Sequence, residues 1–149
     1  MDKCLFNKVL GFICKNMSDW YDDYDTMCNA KRKQLCSSAT MFDLCFESCE
    51  GDELTDATLL GVLAWREEDA THSTRKKTHP SFFPVLYVYE LQVTSEYRKC
   101  GVGGQFMDRA IRQAATLSVP VLMLTVNTKN KTAYDFYVNR GFVPHRALT

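Results

Sequence analysis

The chain has 149 residues, 18 basic and 18 acidic side chains, and hydrophobic residues at 46% of its positions. That length suits one domain over residues 1–149 with a sizeable core, and no tract is biased toward disorder. A formal net charge of zero excludes a protein that holds nucleic acid through a basic surplus, and no apolar run approaches the roughly 20 residues of a membrane span.

Leu5, Phe6, Val9, Leu10, Ile13 and Met17 recur at helical spacing, which predicts an amphipathic helix over residues 2–17. Charged residues interrupt it and no small-residue cleavage site follows, so it reads as part of an intracellular fold and not as a signal peptide. The segment SDWYDDYD over residues 18–25 is acidic and aromatic, a connector before a second helical piece at residues 29–38 that carries Lys31, Arg32 and Lys33. Residues 41–47 and 58–65 predict two strands of an antiparallel hairpin around a turn in CEGDELTD. Residues 67–84 read as a long polar loop closed by Pro80 and Pro84.

Residues 85–93 (VLYVYELQV) are β-branched and aromatic, a strand. A helix follows over residues 101–117, with Val102, Phe106, Ala110, Ala114 and Leu117 on one face, Met107 and Ile111 beside them, and Pro120 as breaker. The continuous apolar run over residues 121–126 predicts a strand buried on both faces of an α/β sheet. A short helix over residues 130–140 ends at Gly141, placed for a C-terminal cap, and GFVPHRALT leaves one short closing strand.

The seven cysteines are odd in number and include no Cys-x-x-Cys pair, and His72, His79 and His145 do not group around Cys45 and Cys49. They read as reduced thiols packed as small hydrophobes, with no metal and no structural disulfide.

Between strand and helix lies Arg98-Lys99-Cys100-Gly101-Val102-Gly103-Gly104. Glycines let a backbone turn tightly, and free N–H groups at a helix start can bind an anion. No Gly-Lys-Ser/Thr follows, so it is not a Walker loop, and the third glycine of a dinucleotide fingerprint is missing. Taken alone, the loop fits an anion cradle or a turn that merely permits close packing.

The surroundings add a pattern. Leu91-x-Val93, Arg98-x-x-Gly101-x-Gly103 and Asn130-x-x-Ala133-x-x-Phe136-Tyr137-x-x-x-Gly141-Phe142 together resemble the GNAT superfamily of N-acetyltransferases over residues 85–143. The resemblance implies an α/β fold with a mixed central sheet splayed into a V between its fourth and fifth strands, flanked by helices and holding acetyl-CoA. It implies that the backbone of Cys100, Gly101, Val102, Gly103 and Gly104 cradles the pyrophosphate with help from Arg98 and Lys99. The strand edge at Leu91, Gln92 and Val93 would pair with the pantetheine arm, and Asn130 would reach the cofactor from the last helix.

Within it, Leu86-Tyr87-Val88-Tyr89-Glu90-Leu91-Gln92 resembles the Tyr-x-Tyr-Glu-x-Gln strand of NatD-type enzymes, which acetylate the N-termini of two core histones. Met123-Leu124-Thr125-Val126 with Ala133-Tyr134 resembles that family too, as do Asn16-Met17 and Tyr21. This implies a peptide or protein N-terminus as substrate, in cytosol or nucleus, with no direct nucleic acid or membrane partner. Against that pattern, KKTHPSFFP lacks the family's acidic residues, and a first strand before Asp2 and a final strand after Thr149 are missing.

Acetyl transfer to an amine needs a neutral amine, a polarised carbonyl and a proton for the leaving thiolate. Glu90, the one carboxylate on its strand, is the candidate general base; the alternative is a strand residue paired to a basic neighbour. Strict alternation puts Tyr87 and Tyr89 on the opposite face from Glu90, so a bulge near Glu90, as in GNAT proteins, is required to bring all three to one cleft. Such a bulge also frees a backbone N–H for the oxyanion. Tyr89 is a further candidate for catalysis and, with Tyr87 and Tyr21, for substrate contact, while core packing is the alternative for the strand tyrosines. By resemblance, Tyr137 is the candidate acid. The same motifs serve lysine and small-amine acetyltransferases and a non-catalytic acyl-CoA-binding module.

Overall fold

A computed structural model describes residues 1–47, 58–72 and 81–144. Helix α1 spans Lys3–Met17, started by Asp2, whose carboxylate accepts from the Leu5 N–H at 2.8 Å. Val9, Leu10, Ile13 and Cys14 form its buried stripe. After a single 3₁₀ turn at Ser18–Trp20, helix α2 runs Tyr24–Leu35, five residues ahead of the sequence expectation. The cause is Asp23, which accepts from both the Thr26 N–H (3.0 Å) and its hydroxyl (2.6 Å) and so caps the helix inside the acidic connector.

Four strands form one mixed sheet in the order β1 (Met41–Phe46), β2 (Leu59–His72), β3 (Ser81–Val93), β4 (Val121–Leu124). The first two pairings are antiparallel and β3–β4 is parallel, crossing over through helix α3 (Val102–Thr116). Helix α4 covers Lys131–Asn139 and ends, as expected, at a left-handed Gly141 with φ +93°.

Several expectations are corrected. Much of the loop at residues 67–84 is instead the far half of the β2–β3 ribbon, paired from Glu67↔Leu86 to His72↔Ser81, with Pro84 opposite Asp69. From Arg66 to Ala70 half-buried and exposed residues alternate, so the polar side chains are the watered side of a ribbon extending past the core. Strand β4 is half-buried throughout, because it borders the described sheet and pairs over four residues only. On α3, Ile111 and Leu117 are exposed, Leu117 because the helix ends before it. No strand forms over residues 141–144, and the remainder of the expected closing strand lies outside the described residues, as do the CEGDELTD turn and residues 73–80.

The sheet separates two cores. Leu63, Trp65, Leu86 and Val88 face α3 through Phe106, Met107, Ala110 and Ala114. Leu59, Val62 and Ala64 face Val9 and Ile13 of α1 and Leu35 of α2, while Leu10, Cys14 and Met27 pack between those two helices. Each fully buried aliphatic side chain contributes about 1.5–3 kcal/mol. Gly61 sets the height of α3 over the sheet: a Cβ there would lie 2.7 Å from the Phe106 ring. Among the described residues no helix is long and apolar enough to cross a membrane.

Candidate active site

Strand β3 carries an irregularity. Trp65 pairs with Val88 but Ala64 pairs with Glu90, so Tyr89 is the extra residue of a bulge. Before it, Leu86 and Val88 point to the α3 side. Tyr87 lies opposite Arg66, whose guanidinium reaches the Gln34 carbonyl and the Thr40 hydroxyl, both at 3.3 Å, on the other side. Past the bulge Glu90 lies opposite Ala64, on the face of α1 and α2, and Tyr89 packs into that same core. Tyr87, Tyr89 and Glu90 therefore share one face, as the sequence argument required.

The Glu90 side chain is 2% exposed. Its Oε2 accepts from Gln92 Nε2 at 3.1 Å, and its Oε1 is ion-paired with Lys31 Nζ of α2. The Tyr89 hydroxyl donates to Glu68, which also pairs with Arg66 Nε at 2.7 Å, and the Arg66 guanidinium lies 4.4 Å above the Tyr89 ring. Burial, then this carboxylate, pushes the Tyr89 phenol up. The hydrogen bonds from Tyr89 and Arg66 hold the Glu68 carboxyl below its usual range. The Tyr87 ring packs against that of Tyr89, tilted by 48° with centroids 4.8 Å apart, and its hydroxyl meets that of Thr125 just past β4.

Strand β3 pairs with β4 only through Val88↔Leu124, while its pairing with β2 continues to Val93. Along Tyr89–Val93 the described residues therefore leave one edge of β3 without a strand partner, which opens the sheet between its third and fourth strands; the expected fourth and fifth count one strand more, and among the described residues none precedes β1. Near this opening stands Tyr137 of α4, half-buried between the rings of Phe136 and Phe142 at 5.1 and 5.6 Å. Burial chiefly, and the nearby Glu90 charge, push its phenol well above the ordinary value, so it keeps its proton.

At the end of β3 the Val93 carbonyl accepts from Asn16 Nδ2 of α1 (3.1 Å) and from Arg98 Nε (3.0 Å), so Arg98 braces the base of the loop. Lys99 and Gly101 have φ of +62° and +86°, and α3 starts directly after them without a side-chain cap. A non-glycine residue held in the left-handed region costs about 1–3 kcal/mol, strain that clusters at ligand sites. The first return bond is Gln105 N–H to the Gly101 carbonyl at 3.0 Å, so the amides of Val102, Gly103 and Gly104 have no acceptor within the helix. Left-handed turns leading into a helix start make a concave anion site. Helix α4 seals its flank: Phe136 packs 3.5 Å from where a Gly103 Cβ would stand, and Arg140 donates to the Gly104 carbonyl at 3.2 Å. Cys100 is exposed in this loop.

Two predicted residues stand apart. Asn130 caps α4, its Oδ1 accepting from the Ala133 N–H at 3.1 Å. Tyr21 is exposed at the turn between α1 and α2, flanked by exposed Trp20 and Tyr24. Sequence reasoning missed Lys31, placed in a basic trio without a role. The signal was available once α2 is started at Tyr24: Met27, Lys31 and Leu35 recur every four residues, so a lysine interrupts a buried stripe.

The sequence pattern of the Acetyltransferase (GNAT) family matches residues 16–142. N-alpha-acetyltransferase 60 of Danio rerio is 36% identical over 75 residues, 46% of this chain and 31% of that protein. The chain thus spans about a third of the curated relative it matches. Among solved structures, a "Putative acetyl transferase from Pyrococcus furiosus" has a TM-score of 0.73 at 15% identity, over 97% of this chain and 91% of that one. AAC(6')-Iy in complex with the bisubstrate analogue CoA-S-monomethyl-acetylneamine has a TM-score of 0.65 at 13% identity, over 100% of this chain and 92% of that one. At these identities the structural likeness establishes the fold.

Proposed function

This chain belongs to the GNAT acetyltransferase family, whose members use acetyl-CoA, and on that premise we propose that it acetylates the N-terminal α-amine of a peptide or protein. The carrying observation is the bulge at Tyr89, which turns Glu90 onto the face of Tyr87 and Tyr89 beside the opening in the sheet. The 36%-identical stretch of an N-alpha-acetyltransferase supports the α-amine, and the Tyr87–Gln92 strand, with its NatD resemblance, makes a core-histone N-terminus the first acceptor to test, in cytosol or nucleus.

Acetyl-CoA supplies an activated thioester when bound. The uncapped amides after Lys99 and Gly101 fit its pyrophosphate, with Cys100 to Gly104 lining the cradle and Arg98 bracing it. The strand-free edge at Leu91, Gln92 and Val93 fits the amides of its arm. Glu90 takes the acceptor's proton, through a water because its side chain is almost wholly buried. Tyr137 holds on its hydroxyl the proton that the departing sulfur needs, and burial keeps it there. Tyr87 and Tyr89 line the acceptor side, Tyr21 extends it at the α1–α2 turn, and Asn130 fixes the start of α4.

The test is transfer of labelled acetyl to histone-tail peptides with free or blocked N-termini, unrelated peptides and a polyamine, using the wild type and Glu90→Gln. We expect acetylation of the free N-terminus only, with turnover in Glu90→Gln reduced about 10²–10⁴-fold and acetyl-CoA affinity retained. Labelling of the blocked peptide would point to lysine side chains, labelling of the polyamine to small amines. Binding of acetyl-CoA without any turnover would make the chain an acyl-CoA-binding module.

A further inference from the structure

Glu90 is the sole buried carboxylate among the described residues, and its Oε1 is the one buried side-chain polar atom there without a hydrogen-bond partner. Lys31 Nζ is ion-paired with that oxygen. We propose that Lys31 is a positioning residue: its ammonium pairs the buried charge of Glu90 at Oε1 and holds the carboxylate in place to take the acceptor's proton through a water. The inference rests on Glu90 being the base and goes beyond that reading by making its competence depend on a lysine of α2.

Two observations support it. The lysine occupies a hydrophobe's place, since Met27 and Leu35, one turn to either side, are 4% and 1% exposed. A solvent-facing pair looks different: Lys131–Asp135 has side chains 82% and 49% exposed, against 15% and 2% for Lys31–Glu90. An exposed pair adds little, whereas a buried carboxylate deprived of its only cation is driven to take up a proton.

Among the described residues Lys31 is the one cation ion-paired with Glu90, and the other groups near the carboxylate are neutral. From α1 comes Cys14, whose thiol is pushed up to about 12, first by burial and then by the Cys28 thiol, and stays neutral. From α4 comes Tyr137, also neutral. From β3 comes the Gln92 amide, which fixes Oε2 at 3.1 Å, and from β2 the partner is Ala64. The two oxygens are thus held differently, Oε2 by a directed amide bond and Oε1 by charge.

The experiment compares wild type, Lys31→Met and Lys31→Arg, reading the pH profile of kcat/KM and, by carbon-13 NMR, the titration of the Glu90 side-chain carboxyl. For Lys31→Met we expect the carboxyl titration and the acid limb of the profile to move up together by at least one pH unit. Activity should fall tenfold or more on the acid side and recover on the alkaline side, with acetyl-CoA affinity within twofold of wild type. Lys31→Arg restores the limb. A merely structural lysine would lower the melting temperature of Lys31→Met and leave both pH midpoints in place, which would overturn the proposal. If Lys31→Met does not fold, Lys31→Gln gives the same reading. A protein without measurable turnover still yields the NMR titration, and an unmoved Glu90 midpoint refutes the inference. Full activity in Glu90→Gln, by contrast, would remove the base itself, with or without a shift in Lys31→Met.

Discussion

Gly103→Glu separates a binding glycine from a packing glycine. Gly103 sits in the first turn of α3, and a Cβ there meets Phe136 at 3.5 and 3.7 Å, ordinary contact distances. Replacing a helical glycine recovers up to about 1 kcal/mol of propensity, and a carboxylate at a helix N-terminus adds about 0.3–1 kcal/mol. The variant should therefore melt no lower than wild type, and up to about 8 °C higher for a chain of this size. Binding moves the other way. A unit charge at roughly 5 Å from a pyrophosphate of about two negative charges is repelled by about 1.7 kcal/mol at the dielectric of water, and by about 7 kcal/mol at an effective constant of 20. Even the lower figure weakens acetyl-CoA binding more than tenfold. Calorimetric titration with acetyl-CoA and a thermal melt of the same samples measure both, and Gly103→Gln isolates the charge. Wild-type affinity in the glutamate variant would refute the cradle; a melt several degrees lower would refute the packing argument.

Tyr137→Phe should lower kcat and leave acetyl-CoA affinity unchanged; an unaltered kcat would exclude the phenol as acid. Because folding raises the Tyr137 value above its ordinary 10.0, its contribution to stability is complete below pH 10 and lost as pH climbs toward the folded value, so alkaline melts of Tyr137→Phe should be flatter above pH 10. Cys14 behaves alike, with its contribution complete below about pH 9 and lost toward about 12. At neutral pH an alkylating reagent should label exposed Cys4, Cys36 and Cys100 well before Cys14, as read by mass spectrometry of the native protein. Gly61→Ala places a methyl 2.7 Å from the Phe106 ring and should destabilise by about 1–3 kcal/mol. Pairing it with Phe106→Leu should recover part of that loss in a denaturant melt.

What the sequence reveals depends on how far each element is decided locally. The glycine loop, α3 and the left-handed stop at Gly141 are local backbone chemistry and are legible. The bulge is legible for another reason: alternation alone puts Glu90 on the wrong face, so a functional hypothesis demands an extra residue, and Tyr89 is that residue. The ribbon over residues 67–72 is illegible, because polar residues on a watered strand resemble a loop until the partner strand is known. The start of α2 turns on Asp23, one of four aspartates over residues 19–25 that look alike in composition, and only Asp23 caps the helix. Missing that cap shifts the helix start and hides Lys31, whose meaning is visible only beside Met27 and Leu35.

The bulge also decides how the two faces of the sheet communicate. The glycine loop, α3 and α4 lie on the side of Leu86 and Val88, whereas Lys31, Glu90 and the exposed aromatics of the α1–α2 turn lie on the other. A continuous sheet would keep a donor on the first side from an acceptor on the second. Pairing of β3 with β4 ends at Val88, one residue before the bulge, so the sheet opens where Glu90 changes sides. Tyr137, from the cradle side, already feels the Glu90 charge there. On the proposed reading, a donor arm along Leu91 to Val93 and an amine approaching from the α1–α2 turn would meet there, beside the carboxylate that is ion-paired with Lys31.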